Sequence, residues 1–176
     1  MKEKIFNFID DNKDNIIRDL IDLISTPSIT ENFKDVGKAL DVYINMAKKH
    51  DLQSYTSPNN LVGIIDIGSG DETVGVLVHI DVVPPGDISR WSVNPFKSIL
   101  KHDFIWGRGA QDNKGPCIAV LYAILAIKSL GLDFKKRIRV IVGTKEESKW
   151  VDMDFYKQNY ELPDYGFSPD AEFPIT

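Results

Sequence analysis

The chain is poor in the residues that build extracellular scaffolds, membrane spans and nucleic-acid surfaces. Its 176 residues hold one cysteine, Cys117, so no internal disulfide can form; this matches a reducing, cytoplasmic setting. No run of eighteen apolar residues occurs, which argues against a transmembrane helix. Met1-Lys2-Glu3-Lys4 opens onto an amphipathic, Asp- and Asn-rich stretch, unlike the apolar core and small-residue cleavage site of a secretory leader. Basic residues are outnumbered, with 21 Lys and Arg against 26 Asp and Glu and a formal net charge of -5. A nucleic-acid partner usually requires a basic face, so that class is disfavoured. Histidine is scarce, with three in the chain, His50, His79 and His102. What remains is an ordinary globular composition, 43% hydrophobic and 27% charged, at a length suited to one domain with its own core.

Hydrophobic periodicity divides the chain into alternating helices and strands. Ile5, Ile9, Ile16, Leu20, Leu23 and Ile24 recur at spacings of three and four, predicting one or two amphipathic helices over residues 3–25. Thr26-Pro27 ends them, because proline disfavours a helical residue before it. Val36, Leu40, Tyr43, Ile44 and Ala47 predict a further helix over 34–49. Leu61–Ile67 and Val74–His79, with Gly68-Ser69-Gly70-Asp71 between them, read as a pair of strands, the second buried on both faces. Ser98–Leu100 and Phe104–Trp106 suit a hairpin around Lys101-His102-Asp103. A helix over 114–130 tolerates Pro116 in its first turn and stops at Gly131. Ile138–Val142 is a buried strand, residues 151–160 a short helix and Tyr165–Phe167 a last short strand. The alternation favours an α/β fold, a mixed and mostly parallel sheet with helices on both faces.

Four segments carry chemistry-bearing side chains at predicted strand or loop ends. His79-Ile80-Asp81 follows a strand directly. Two residues apart in extended chain, the imidazole and the carboxylate point the same way, so Asp81 can accept the second ring N–H of a metal-binding His79. A strand-capping histidine and a turn-opening aspartate are the plainer alternative. Gly107-Arg108-Gly109-Ala110-Gln111-Asp112-Asn113-Lys114-Gly115-Pro116 places Asp112 before a helix, where a carboxylate suits an N-cap; its spacing matches neither nucleotide-binding fingerprint. Glu146-Glu147 follows a strand and Gly143-Thr144, and two adjacent acids repel unless a cation or proton intervenes. Ser168-Pro169-Asp170 again puts an acid after a short apolar segment. Each signal alone fits a solvated loop or a cap. Together, a histidine and several carboxylates at four strand ends form a ligand set for zinc or a similar divalent metal.

These motifs, in this order, resemble the di-zinc exopeptidase and deacylase family that includes bacterial dipeptidase V, carboxypeptidase G, acetylornithine deacetylase and succinyl-diaminopimelate desuccinylase. The resemblance is carried by His79-Ile80-Asp81-Val82-Val83-Pro84 with Gly86-Asp87, Trp91 and Pro95-Phe96. It continues through Gly107-Arg108-Gly109-Ala110 with Asp112-Asn113-Lys114-Gly115, then Gly143-Thr144 with Glu146-Glu147-Ser148. It ends in Pro169-Asp170-Ala171-Glu172-Phe173-Pro174. Asn113-Lys114-Gly115-Pro116 and the tail look most like the dipeptidase branch.

The resemblance implies hydrolysis of dipeptides by a water activated between two metal ions, zinc first, with manganese or cobalt as alternatives. It implies that His79 and Asp170 hold one metal, that Asp112 bridges both across a cis bond to Asn113, and that Glu147 holds the second. Glu146 is then the general base and Asp81 the residue that orients His79. It further implies that residues 1–176 are the N-terminal segment of the catalytic domain. A lid domain and a returning segment with a late histidine ligand would lie elsewhere, in a separately encoded piece if not downstream. His50 and His102, expected on a helix and in a hairpin turn, are poor candidates for that ligand. An N-acyl amino acid deacylase and an inactive remnant are the alternatives. Two departures stand out: Lys145 beside the base, expected to favour ionised Glu146, and Lys149 where glycine is common, expected to strain the turn.

Overall fold

The computed structural model describes residues 1–132 and 134–170. The N-terminal periodicity resolves into two helices, α1 (Lys2–Asp11) and α2 (Lys13–Ile24), separated at Asn12. Next comes α3 (Phe33–Lys49), opened by Asn32, whose side chain accepts the Asp35 N–H. His50 caps this helix rather than lying within it. Strand β1 (Gln53–Thr56) follows, with no counterpart in the sequence reading, and then β2 (Gly63–Ile67) and β3 (Thr73–His79). A hairpin of β4 (Ile99–Lys101) and β5 (Phe104–Trp106) stands apart as its own sheet, turning through His102 and Asp103 at positive φ. The chain closes with α4 (Lys114–Lys128), β6 (Arg137–Gly143), α5 (Val151–Asn159) and β7 (Tyr165–Phe167).

The main sheet runs β1-β2-β6-β3-β7. Its β1-β2-β6 half is antiparallel and its β6-β3-β7 half is parallel. β2 and β3 are therefore not partners, contrary to the sequence reading. β6 enters between them, pairing Ile65 with Val140 on one side and Val76 with Val140 on the other. A central strand needs apolar residues on both faces, and β6 supplies them as Val140, Ile141 and Val142, all buried. On one face Ile65, Val78, Val140 and Val142 pack with Leu23, Leu40, Tyr43, Ile118 and Leu121 from α2, α3 and α4. On the other, Ile64 and Ile141 pack with Tyr156 of α5. The sheet is thus mixed, with helices on both faces. A bidentate Arg139–Asp66 pair at 2.8 Å ties β6 to β2. No helix among the described residues is long and apolar enough to cross a membrane.

Because β3, β6 and β7 are mutually parallel, their carboxyl ends lie on one side of the sheet. Ligands gather there in α/β folds, because loops diverge from the strand ends and leave a crevice.

Candidate metal centre

His79 ends β3 opposite Gly143, the last residue of β6. Its side chain is 3% exposed. Nδ1 lies 3.0 Å from the Asp81 main-chain oxygen and 3.4 Å from Asp81 Oδ1, so the ring N–H on that side faces two acceptors. The nearer one is the backbone carbonyl rather than the carboxylate. Nε2 points the other way. It is fully buried and, among the described residues, makes no hydrogen bond, although Asp112 Oδ1, Asp170 Oδ2 and Glu146 Oε2 lie 3.0, 3.5 and 3.8 Å away. A buried ring nitrogen facing three carboxylate oxygens without a well-formed hydrogen bond is the arrangement a metal cation satisfies.

Two groups form around this nitrogen. The ligand atoms of His79, Asp112 and Asp170 lie within 4.8 Å of one another, as do those of His79, Glu146 and Glu147. Thus residues far apart in sequence, His79, Asp112, Asp170 and the Glu146-Glu147 pair, meet at one end of the sheet. Asp81 lies beneath them, completely buried. Its Oδ1 accepts the Glu146 N–H at 3.3 Å and its Oδ2 the Glu147 N–H at 3.2 Å. His50 and His102 belong to neither group.

The electrostatics follow from crowding acids around one imidazole. Burial opposes the charged form of His79. Its hydrogen bond to Asp81 and the charges of Asp81, Asp170 and Asp112 outweigh burial and hold the ring up at about 9. Burial also works against ionised Asp81, yet bonds from His79 and Thr30, the imidazole charge and the Glu147 N–H keep its pKa below the usual range. Glu146 is raised by burial and by the charges of Asp170, Asp81 and Asp112, with His79 opposing. Glu147 is raised by burial and then by Asp112, whose charge it feels directly. Among the described residues no lysine or arginine pairs with any of these acids.

Three expectations about this region are corrected. Lys145 does not bear on Glu146: its ammonium donates to the Thr30 carbonyl and sits over the Phe33 ring, and Glu146 is raised rather than lowered. Lys149 does not carry the strained conformation, which falls on Trp150 at φ 55. Asp112 does not cap α4. The N-cap is Asn113, with no side-chain cap bond, and the Asp112 side chain is 65% exposed on the cluster. The peptide between them is cis. Gly109, at φ 86, lets the preceding loop pass close to Val82, where a Cβ would come within 2.7 Å. Ala171 to Pro174 of the tail motif lie outside the described residues.

Some supporting residues were legible in the sequence only as part of a motif, or not at all. Asn113 is fully buried; its Oδ1 accepts the His79 N–H at 3.3 Å and its Nδ2 donates to Asp170 Oδ1 at 2.7 Å. Lys114, also fully buried, donates to the Leu23 and Thr26 carbonyls at 3.0 and 2.7 Å, latching the start of α4 to the end of α2; burial pushes its ammonium down to about 7. Thr30 reaches the centre by a bridge of Ile29 to Val82.

Comparison with known proteins gives the family and the fold. The model of peptidase family M20/M25/M40 matches residues 75–165. A protein of Staphylococcus aureus strain USA300 named "Putative dipeptidase" is 40% identical over 98% of this chain and 37% of its own length. Human carnosine dipeptidase 1 superposes with a TM-score of 0.85 at 22% identity, covering 97% of this chain and 41% of that one. The dipeptidase Dug1p of Saccharomyces cerevisiae gives 0.81 at 23% identity, over 96% and 40%. These two structures share the fold. The chain belongs to peptidase family M20/M25/M40, and it spans a little over a third of the length of the Staphylococcus relatives it matches.

Proposed function

We propose that the chain is the N-terminal segment of the catalytic domain of a metal-dependent dipeptidase. One observation carries the reading: His79 Nε2, buried and without a hydrogen bond among the described residues, faces carboxylates from three other segments, two of them following the parallel strands β6 and β7. The family membership and the dipeptidase names of relatives support the substrate class.

His79, Asp170 and Asp112 hold one divalent cation, zinc in the first instance. Asp112 would also serve a second cation, which Glu147 would hold from the neighbouring group of His79, Glu146 and Glu147. Bound there, two such cations polarise a peptide carbonyl and ease deprotonation of water. Glu146, whose Oε2 stands 3.8 Å from His79 Nε2, would take the proton of the attacking water and deliver it to the leaving amine. Asp81 keeps His79 in the tautomer that leaves Nε2 free, and it holds the backbone of both glutamates. The lid and the remaining ligands belong to the further length that the relatives possess.

The test has two arms. Calorimetric zinc titration of the 176-residue chain and of His79→Ala should show uptake by the first and loss in the second. Dipeptide and N-acyl amino acid hydrolysis should be followed in a chain extended to the relatives' length and in residues 1–176 alone. Dipeptide turnover in the extended chain, and none in the short one, is expected. Preference for N-acyl amino acids would replace the substrate class, and no zinc uptake would overturn the reading.

A further inference from the structure

The turn that carries Glu146 and Glu147 is held by a second buried carboxylate. Asp152, in the first turn of α5, is 1% exposed. Its Oδ2 accepts the Thr144 N–H at 2.6 Å and the Lys145 N–H at 2.9 Å, and its Oδ1 accepts the Met153 N–H at 2.8 Å. The next two N–H groups, of Glu146 and Glu147, go to Asp81. Four consecutive amides leaving β6 are therefore divided between two buried carboxylates, Asp152 behind the turn and Asp81 beneath the centre. The backbone is shaped for this contact: a Cβ on Gly143 would come within 2.8 Å of Asp152 Oδ2. Bonds of this kind are charge-assisted and directional, so they fix the turn rather than merely satisfy it. Among the described residues, no lysine or arginine forms an ion pair with Asp152, so the backbone amides are its partners.

We infer that Asp152 is a positioning residue for the site: it sets the turn from which Glu146 reaches the water and Glu147 the second cation. The inference rests on the roles proposed above for those two glutamates. It assigns Asp152 no contact with substrate or cation. Its effect passes through the backbone of residues 144–147, and it acts on the Glu147 side of the centre rather than on His79 and Asp170.

Asp152→Asn tests this with little change in shape. An amide offers one acceptor oxygen and one donor NH2, so it cannot receive both the Thr144–Lys145 pair and Met153. Gly143→Ala is the complementary variant, keeping the carboxylate but displacing it. Ile124→Ala in α4, a buried core position remote from the turn, controls for loss of stability alone. Two readouts are taken on the 176-residue chain: amide exchange by NMR and calorimetric zinc titration. Both turn variants should lose protection at Glu146 and Glu147 as well as at Thr144 and Lys145, although Asp81 is intact; the control should not. The weaker zinc-binding step should loosen by about 10- to 100-fold, with the tighter step unchanged. Exchange confined to Thr144 and Lys145, or the same loss in the control, would overturn the inference. So would a weaker zinc step that is unchanged in Asp152→Asn. Failure of the unsubstituted chain to take up zinc would overturn the proposed function instead, and amide exchange would still decide the role of Asp152.

Discussion

Replacing Asn113 by alanine should weaken both the fold and the metal centre, and the size of each effect follows from its bonds. The side chain is fully buried between the end of β3 and the segment after β7 that carries Asp170. Its removal leaves the His79 N–H, buried at the strand end, without an acceptor, a loss of roughly 1–3 kcal/mol. It also removes a charge-assisted bond to Asp170, worth roughly 1.5–3 kcal/mol when buried. Asp170 is 27% exposed, so the lower end applies. The two together predict a loss of about 2.5–4.5 kcal/mol, or a fall in Tm of roughly 5–18 °C at this chain length. Zinc affinity should fall by about 10- to 100-fold, because His79 and Asp170 lose the group that fixes them relative to each other. Asn113→Asp separates the two effects. It keeps an acceptor for His79 but sets a like charge against Asp170, so it should be the less stable variant without metal and gain more from added zinc. Differential scanning calorimetry with and without zinc measures both. Stability and zinc affinity unchanged in Asn113→Ala would refute the claim that this residue joins the two ligand-bearing segments.

In a chain extended to the relatives' length, Glu146→Gln should abolish turnover and leave zinc binding largely intact, because an amide cannot take the proton; turnover near the unsubstituted level would remove Glu146 from its role. His79 sets two pH dependences. With metal chelated, its folded pKa of about 9 lies above the ordinary 6.5. Its stabilisation is therefore complete below about pH 6.5 and lost as pH rises through about 9, with a ceiling of about 3 kcal/mol, measurable by urea denaturation across that range. Zinc needs the neutral ring, so binding at pH 7.5 should release close to one proton from His79, read by calorimetry in buffers of different ionisation enthalpy. No dependence on buffer would contradict it.

Elements with local signatures were legible in the sequence. The β4–β5 hairpin follows from its short apolar runs around a polar turn, and α4 from a periodicity that ends before Gly131. The acidic clusters were also legible, because strand ends in an α/β fold converge wherever the topology is parallel. The insertion of β6 between β2 and β3 was not, since periodicity reports which faces are buried and not which strand is the neighbour. β1 was missed because Gln53-Ser54-Tyr55-Thr56 is an edge strand with little apolar content. Asn113 was legible only as a motif member and the partner in a cis bond, and Asp152 and Thr30 read as ordinary helix-start and loop residues. Asn113 and Thr30 matter through bonds spanning 57 and 118 positions, and Asp152 through backbone amides eight and seven residues before it, none of which hydrophobic periodicity encodes. Lys145 was misjudged because nearness in sequence to Glu146 did not foretell the direction of a long side chain.

The most direct test is X-ray absorption at the zinc edge of the zinc-loaded chain. The centre proposed here predicts imidazole nitrogen at about 2.0–2.1 Å, from His79, with the remaining shell of oxygen at about 2.0–2.2 Å. His79→Ala should remove the imidazole signature. Cys117 sits close by, but its thiol donates to the His79 carbonyl at 3.3 Å and it belongs to neither candidate ligand group. A sulfur shell at about 2.3 Å, or a spectrum unchanged in His79→Ala, would contradict the account.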